Sequence, residues 1–138
     1  MDKALNYLAL ARKAGRIELG EEPVGAATRA QKARLVMVAS DASDHTRRRA
    51  QSFVAGTEQI CLTVPFTKEQ LGQAVGRGVL SLAAFTDPAL ALAFIKALEQ
   101  PERYKEALES LTKRTKRIQQ RQKEAKAHKK NVRLGKKK

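Results

Sequence analysis

The run Leu35-Val36-Met37-Val38-Ala39 constrains this chain more than any other stretch. It is continuously apolar and stops abruptly on Ser40-Asp41-Ala42-Ser43, which is how a strand buried on both faces looks. A run this short could also come from a buried helix, but its length and the β-branched Val36 and Val38 favour a strand. Helical patterns flank it on both sides. In open α/β sheets the loop after such a strand is the usual place for a binding site.

The flanking patterns give the order of elements. Asp2 can cap a helix through Leu5, Leu8 and Ala9, with Arg12 and Lys13 in its last turn and Gly15 beyond. Arg16 to Gly20 alternates briefly, as a short edge strand or an extended link. Glu21, Glu22 and Pro23 suit the first turn of a second helix reaching about Gln31. Ser43 or Asp44 caps a third helix to Val54, 59–64 predicts a second strand, and Thr67 with Gln70 forms a capping box over a short helix. Gly76-Arg77-Gly78 turns into a third strand over 79–85, and Asp87-Pro88 opens a helix striped with Leu90, Ala91, Phe94, Ile95 and Leu98. Such alternation predicts an α/β fold with a largely parallel sheet between helices.

Gln100-Pro101 marks a boundary. Beyond it Tyr104, Leu108, Leu111, Thr115 and Ile118 form a narrow apolar seam, expected on one long helix from Pro101 to about Ala127. Three regions are expected: a domain over 1–100, a helical extension over 101–127 and a disordered basic tail over 128–138.

Charge follows the same division. The net charge of +14 is unevenly placed: residues 1–100 hold 13 basic and 10 acidic residues, whereas 101–138 hold 15 and 4. A polyanionic partner is expected, and a freely diffusing metabolic enzyme is not. The lone Cys61 allows neither an intramolecular disulfide nor a cysteine zinc site and suits a reducing cytoplasm. No apolar run approaches the ~20 residues that span a bilayer, so neither export nor a membrane partner is expected.

Catalytic arrangements are scarce. His45 and His128 have no paired carboxylates or second histidine at ligand spacing. Asp41, Ser43 and His45 form an imaginable hydrolytic cluster, but capping explains Ser43 and Asp44 more simply. Gly72, Gly76 and Gly78 do not follow a strand, so they are not a dinucleotide fingerprint. No enzyme activity and no cofactor or metal is expected.

Several ordered motifs carry a resemblance. Leu10-Ala11-Arg12-Lys13-Ala14-Gly15-Arg16, Gly20-Glu21-Glu22, Lys32-Ala33-Arg34-Leu35-Val36, Ala39-Ser40-Asp41-Ala42-Ser43, Thr46 and Glu69-Gln70-Leu71-Gly72-Gln73-Ala74-Val75-Gly76 resemble the L7Ae ribosomal protein family, most closely its bacterial YlxQ-like branch. The likeness covers about residues 3–98. It implies a three-layer α/β/α sandwich with a small mixed sheet, here followed by the long C-terminal helix and basic tail, and binding of structured RNA, in many members a kink-turn. It also implies an RNA-facing surface made by Gly20 to Ala26 with the loop Gly76 to Leu80. Kink-turn binders of the family carry polar side chains where Glu22, Pro23 and Ala26 stand here. These changes weigh against high-affinity kink-turn recognition, because an acid repels phosphate and Pro and Ala offer no donor.

The candidate RNA-contacting residues are therefore Gly20, Glu21, Glu22, Asp41, Gly76, Arg77, Gly78 and Val79 around the two loops. The basic candidates are Arg29, Arg34, Arg47 and Arg48 on the body and Lys113, Arg114, Lys116, Arg117 and Arg121 on the arm. Arg47-Arg48-Arg49 stands out because adjacent guanidiniums repel unless an anion is near. The arm lacks the aromatics that stack bases, so it should grip backbone and shape. The leading expectation is a cytoplasmic, non-enzymatic RNA-binding protein of ribosomal type, its partner structured and ribosomal RNA. The alternative is a protein-interaction module docking or dimerising through Tyr104, Leu108, Leu111 and Ile118. Oligomeric state stays open.

Overall fold

The computed structural model describes the backbone of residues 2–135 and the side chains of residues 2–125. Ten elements follow one another: α1 (Lys3–Lys13), β1 (Ile17–Leu19), α2 (Glu21–Arg29), β2 (Leu35–Val38), α3 (Asp44–Val54), β3 (Cys61–Thr63), α4 (Lys68–Ala74), β4 (Leu82–Phe85), α5 (Pro88–Ala97) and α6 (Lys105–Gly135). The helix starts are where the capping residues put them. Asp2, Ser43, Thr67 and Asp87 each accept a backbone N–H of the following turn, and Thr67 with Gln70 completes the reciprocal capping box.

The sheet order is β1-β4-β2-β3. β2 pairs parallel with β3 but antiparallel with β4, and β1 pairs antiparallel with β4. The largely parallel sheet that the alternation predicts is thus corrected, and the sheet is the small mixed one that the family resemblance implies. The reason is local: α4 and the 75–81 loop return the chain to the carboxyl end of β2, so β4 runs back against it. Leu35 to Ala39 is fully buried, as are Leu82 to Phe85 beside it, so the apolar run does form the sheet's centre. Strand bounds shrink to Cys61–Thr63 and Leu82–Phe85.

Helices cover both faces. α2 packs on α3, β1 and β4, and α3 on β2 and β3; on the other side α1 packs on α4 and α5, with α5 against β4. Phe85 of β4 and Phe94 of α5 meet as a tilted pair with ring centroids 5.4 Å apart, where that layer joins the sheet, a separation at which aromatic pairs attract. The α/β/α sandwich follows.

α6 begins at Lys105, later than expected, and its backbone is helical to Gly135. The expected disorder of 128–138 falls on residues whose side chains lie outside the described residues, as does the backbone of 136–138. The seam folds inward: Tyr104, Ala107 and Leu111 are buried in the same core as α5, with Leu108 packed against it, and the Tyr104 hydroxyl donates to the carbonyl of Thr63 at 3.5 Å. Tyr104 lies near the end of β3 and Arg114 reaches Glu58 ahead of its start, so α6 runs antiparallel along the β3 edge. That burial removes the main support for a partner-docking role of Tyr104, Leu108 and Leu111, whereas Ile118 lies outside that core and lines a cleft beside α6. No helix among the described residues is long and apolar enough to cross a membrane.

Candidate nucleic-acid interface

At the carboxyl end of β2 the chain brings together α2's first turn, the end of α1 and the loop between α4 and β4. Gly20 caps α2 with φ of +95°, which only glycine adopts without strain. Its N–H donates to Leu82 at 2.9 Å, tying the helix start to β4. The N–H groups of Glu21 and Glu22 belong to the helix's unpaired first turn, and Pro23 has none to offer.

The 76–79 loop is laid over α4. The N–H of Arg77 donates to Gly72 at 2.7 Å, and that of Leu80 to Lys68 at 2.8 Å. Gly72 permits this crossing, because a Cβ there would sit 2.8 Å from the carbonyl of Gly78 and from Cα of Val79. Gly76 turns with φ of +75°. The loop then places Arg77 against Gly20, where a Cβ would meet its Nη1 at 3.8 Å, while Arg12 of α1 reaches Gly76, where a Cβ would meet Nη1 at 3.4 Å. Val79 stands 57% exposed at the loop's edge. The structure therefore brings Gly20 together with Arg77 and its loop neighbours Gly76, Gly78 and Val79, with Arg12 beside Gly76.

The acids of this face are handled differently from one another. Glu21 Oε1 pairs with Arg49 Nε at 2.6 Å, and the Arg49 guanidinium lies over the Phe53 ring at 5.0 Å. Glu22, Pro23 and Ala26 are all exposed, so the three departures from the kink-turn pattern face solvent. The Glu21–Arg49 pair spans 28 positions and carries no local sequence signal.

Other candidates have jobs inside the fold. Asp41 Oδ1 accepts the N–H of Lys68 at 2.8 Å and anchors the start of α4. Arg47 donates to the carbonyls of Ala42 and Ser40 and to Thr63 Oγ1, pinning the loop after β2 to the end of β3. Arg47-Arg48-Arg49 is therefore not one anion cradle. Successive residues turn ~100° around a helix, which sends Arg47 inward and Arg49 to Glu21, and leaves Arg48 exposed.

The remaining candidates lie at the other end of the sheet. Arg29 is in the last turn of α2, and the N–H of Arg34 donates to Phe85 at 2.7 Å as β2 begins. Arg114, Arg117 and Arg121 of α6 line a cleft of about 200 Å³ with Arg34, Gln31, Glu58, Gln59 and Ile118. Lys113 lies beside it with Glu58 and Ser110, and Lys116 next to Gln120 on the helix's outer side. Gln59, buried, locks this end: its amide donates to the carbonyl of Thr28 and its Oε1 accepts the N–H of Ala33, both at 3.1 Å. Sequence patterning placed Gln59 only as a strand start.

Burial pushes the Cys61 thiol up to about 11, which keeps it protonated and unreactive at neutral pH. Among the described residues no group of three or more His, Cys, Asp or Glu could hold a metal ion.

Known proteins share this architecture. The sequence matches the Ribosomal protein L7Ae/L30e/S12e/Gadd45 family over residues 2–93, a stretch that ends ahead of α6. It is 35% identical over 75 residues to the RNA-binding protein YlxQ of Enterococcus faecium, covering 54% of this chain and 72% of that one. A Bacillus halodurans protein of unknown function superposes with a TM-score of 0.66 at 24% identity, over 72% of this chain and all of that one. The 15.5kD RNA binding protein of Giardia lamblia superposes with a TM-score of 0.53 at 19% identity, over 71% of this chain and 83% of that one.

Proposed function

The chain belongs to the ribosomal protein L7Ae/L30e/S12e/Gadd45 family, and from that premise we propose that it is a cytoplasmic, non-enzymatic protein that binds structured RNA, with ribosomal RNA as its natural target. The observation that carries this is the meeting of the Gly76–Val79 loop with the start of α2, where Arg77 lies against Gly20 and Arg12 against Gly76. Unpaired helix N–H groups and two guanidiniums on one face suit phosphate oxygens of a folded backbone. Val79 adds an apolar surface for an unstacked base.

Recognition on this face is by shape. Pro23 and Ala26 carry no hydrogen-bonding side chain and Glu22 can only accept, so none of the three can donate to a base edge. The pairing of Glu21 with Arg49 supports the same reading, because it covers a carboxylate at the helix start that would otherwise repel a phosphate. The long basic helix α6 supplies sequence-independent grip.

The test is binding of the full chain to a kink-turn RNA, a bulged ribosomal RNA fragment and a straight RNA duplex across a salt series. The expected outcome is preference for the folded RNAs that persists at high salt, with the kink-turn no better than the bulged fragment. Equal affinity for all three at every salt concentration would remove the loop face from the mechanism.

A further inference from the structure

At the amino end of the sheet, away from the loop face, the geometry points to a built phosphate-binding cleft between the body and α6, with Arg34, Arg117 and Arg121 as its ligands. Arg34 comes from the start of β2, whereas Arg114, Arg117 and Arg121 follow one another at spacings of three and four on α6, which places them on one helical face. Four guanidiniums thus line one cleft with a single carboxylate, that of Glu58. Like charges at such spacings repel one another. An anion between them removes that repulsion.

Two details distinguish this cleft from an ordinary basic surface. The Nε of Arg34 is the one buried side-chain nitrogen or oxygen among the described residues with no hydrogen-bond partner, and buried polar atoms are nearly always paired. Arg114 is already engaged, donating to the backbone carbonyl of Glu58 with its Nη2 3.8 Å from that residue's carboxylate. That leaves Arg34, Arg117 and Arg121 with donors to spare. Gln59 is spent on Thr28 and Ala33 and shapes the floor without contributing a donor.

The cleft's volume of about 200 Å³ corresponds to roughly six or seven waters at ~30 Å³ each. A phosphate group with a few waters fits. Guanidinium forks match the planar pairs of oxygens on phosphate, and three of them from two elements favour a doubly charged or bridging group over a halide. The ligand is a phosphate group, either a diester of an RNA backbone or a free or terminal monoester.

The experiment uses the full chain with labelled arginine, observing Nε–H signals while inorganic phosphate replaces chloride at constant ionic strength. The Arg34 signal, assigned with Arg34→Lys, should shift and saturate. In the double variant Arg117→Gln/Arg121→Gln, both at exposed helix positions, the apparent affinity should fall at least about ten-fold, as expected for lost charge-assisted hydrogen bonds. Titration with 5′-hydroxyl and 5′-phosphorylated uridine octamers then separates the sources. Equal shifts with both octamers assign the site to backbone diesters, and a shift only with inorganic phosphate or the 5′-phosphorylated octamer assigns it to a monoester. An Arg34 signal that none of the three probes moves, or that phosphate moves equally in the double variant, overturns the cleft. Inorganic phosphate alone reports it, so a failure of the loop face to bind RNA leaves this result intact.

Discussion

The two ends of the sheet are both basic, yet they are built from different materials. At the carboxyl end of β2 the surface is made by backbone: Gly20 and Gly76 at positive φ, Gly72 admitting a loop that its own Cβ would collide with, and two arginines laid against those turns. At the amino end the surface is made by side chains, with arginines of α6 facing Arg34 across a cleft. A backbone-built surface has one shape and selects partners that fit it. A surface of long cationic side chains adapts and gains affinity from charge, which salt screens. Selectivity should therefore reside at one end and salt-sensitive affinity at the other.

The largest effect that would sharpen this contrast comes from α6. Replacing Lys113, Lys116 and Lys123, all exposed on α6, by Gln leaves the cleft's arginines in place and removes three of the charges that the proposed grip on phosphate would use. Each contact is worth roughly 0.7 to 0.9 in the slope of log affinity against log salt. We expect the slope to shrink by about two and affinity near physiological salt to fall roughly 100-fold, with the preference for folded RNA over duplex unchanged. A collapse of that preference in the triple variant would mean that α6 takes part in shape reading.

Gly72→Ala acts at the other end and should do the reverse. The new Cβ forces the Gly78–Val79 backbone away from α4, and overpacking of this kind costs about 1–3 kcal/mol. Chemical denaturation should show that loss. In binding, the folded-RNA preference should disappear while the salt slope stays as it was. Unaltered preference in a measurably destabilised variant would show that the loop's position does not matter to RNA.

Arg77→Gln is a milder probe of the same loop, since it leaves the backbone where it is. One charge-assisted contact at this surface is worth about ten-fold in affinity. We expect that loss for folded RNA and a smaller one for duplex. Equal losses on both would demote Arg77 to general electrostatics.

Much of this arrangement is legible in the sequence, for identifiable reasons. Helix starts are local: Asp2, Ser43, Thr67 and Asp87 announce themselves because each cap bonds within a few residues. The apolar run at Leu35 predicts the central strand because burial on both faces leaves a compositional trace. Pairing direction leaves none, so the alternation of helices and strands suggested a parallel sheet where Leu82–Phe85 in fact runs antiparallel to Leu35–Val38. The same locality limits site reading. Arg47-Arg48-Arg49 looks like one cluster in sequence, but Arg47 turns inward to Ser40, Ala42 and Thr63, Arg49 pairs with Glu21 and Arg48 is left exposed. Conversely, the approach of Arg34 to Arg117 and Arg121 depends on how α6 lies along β3, which no spacing within α6 encodes.

The smallest effect concerns the acid left on the loop face. Glu21 and Arg49 are each about half exposed, and an ion pair in that setting contributes only about 0–1 kcal/mol to stability. Arg49→Gln should therefore barely alter unfolding, even with the loss of its contact to Phe53. Its effect on binding has a definite sign. Without Arg49 the Glu21 carboxylate faces an incoming phosphate uncompensated at the start of α2, and affinity for folded RNA should drop roughly two- to three-fold at low salt, consistent with a surface charge interaction of about half a kcal/mol. Glu21→Gln should move affinity the opposite way by a similar factor, and both shifts should fade as salt rises. If the two variants instead shift affinity in the same direction, the pair matters for holding α2 against α3 rather than for masking charge, and the selective face depends on that packing more than on its electrostatics.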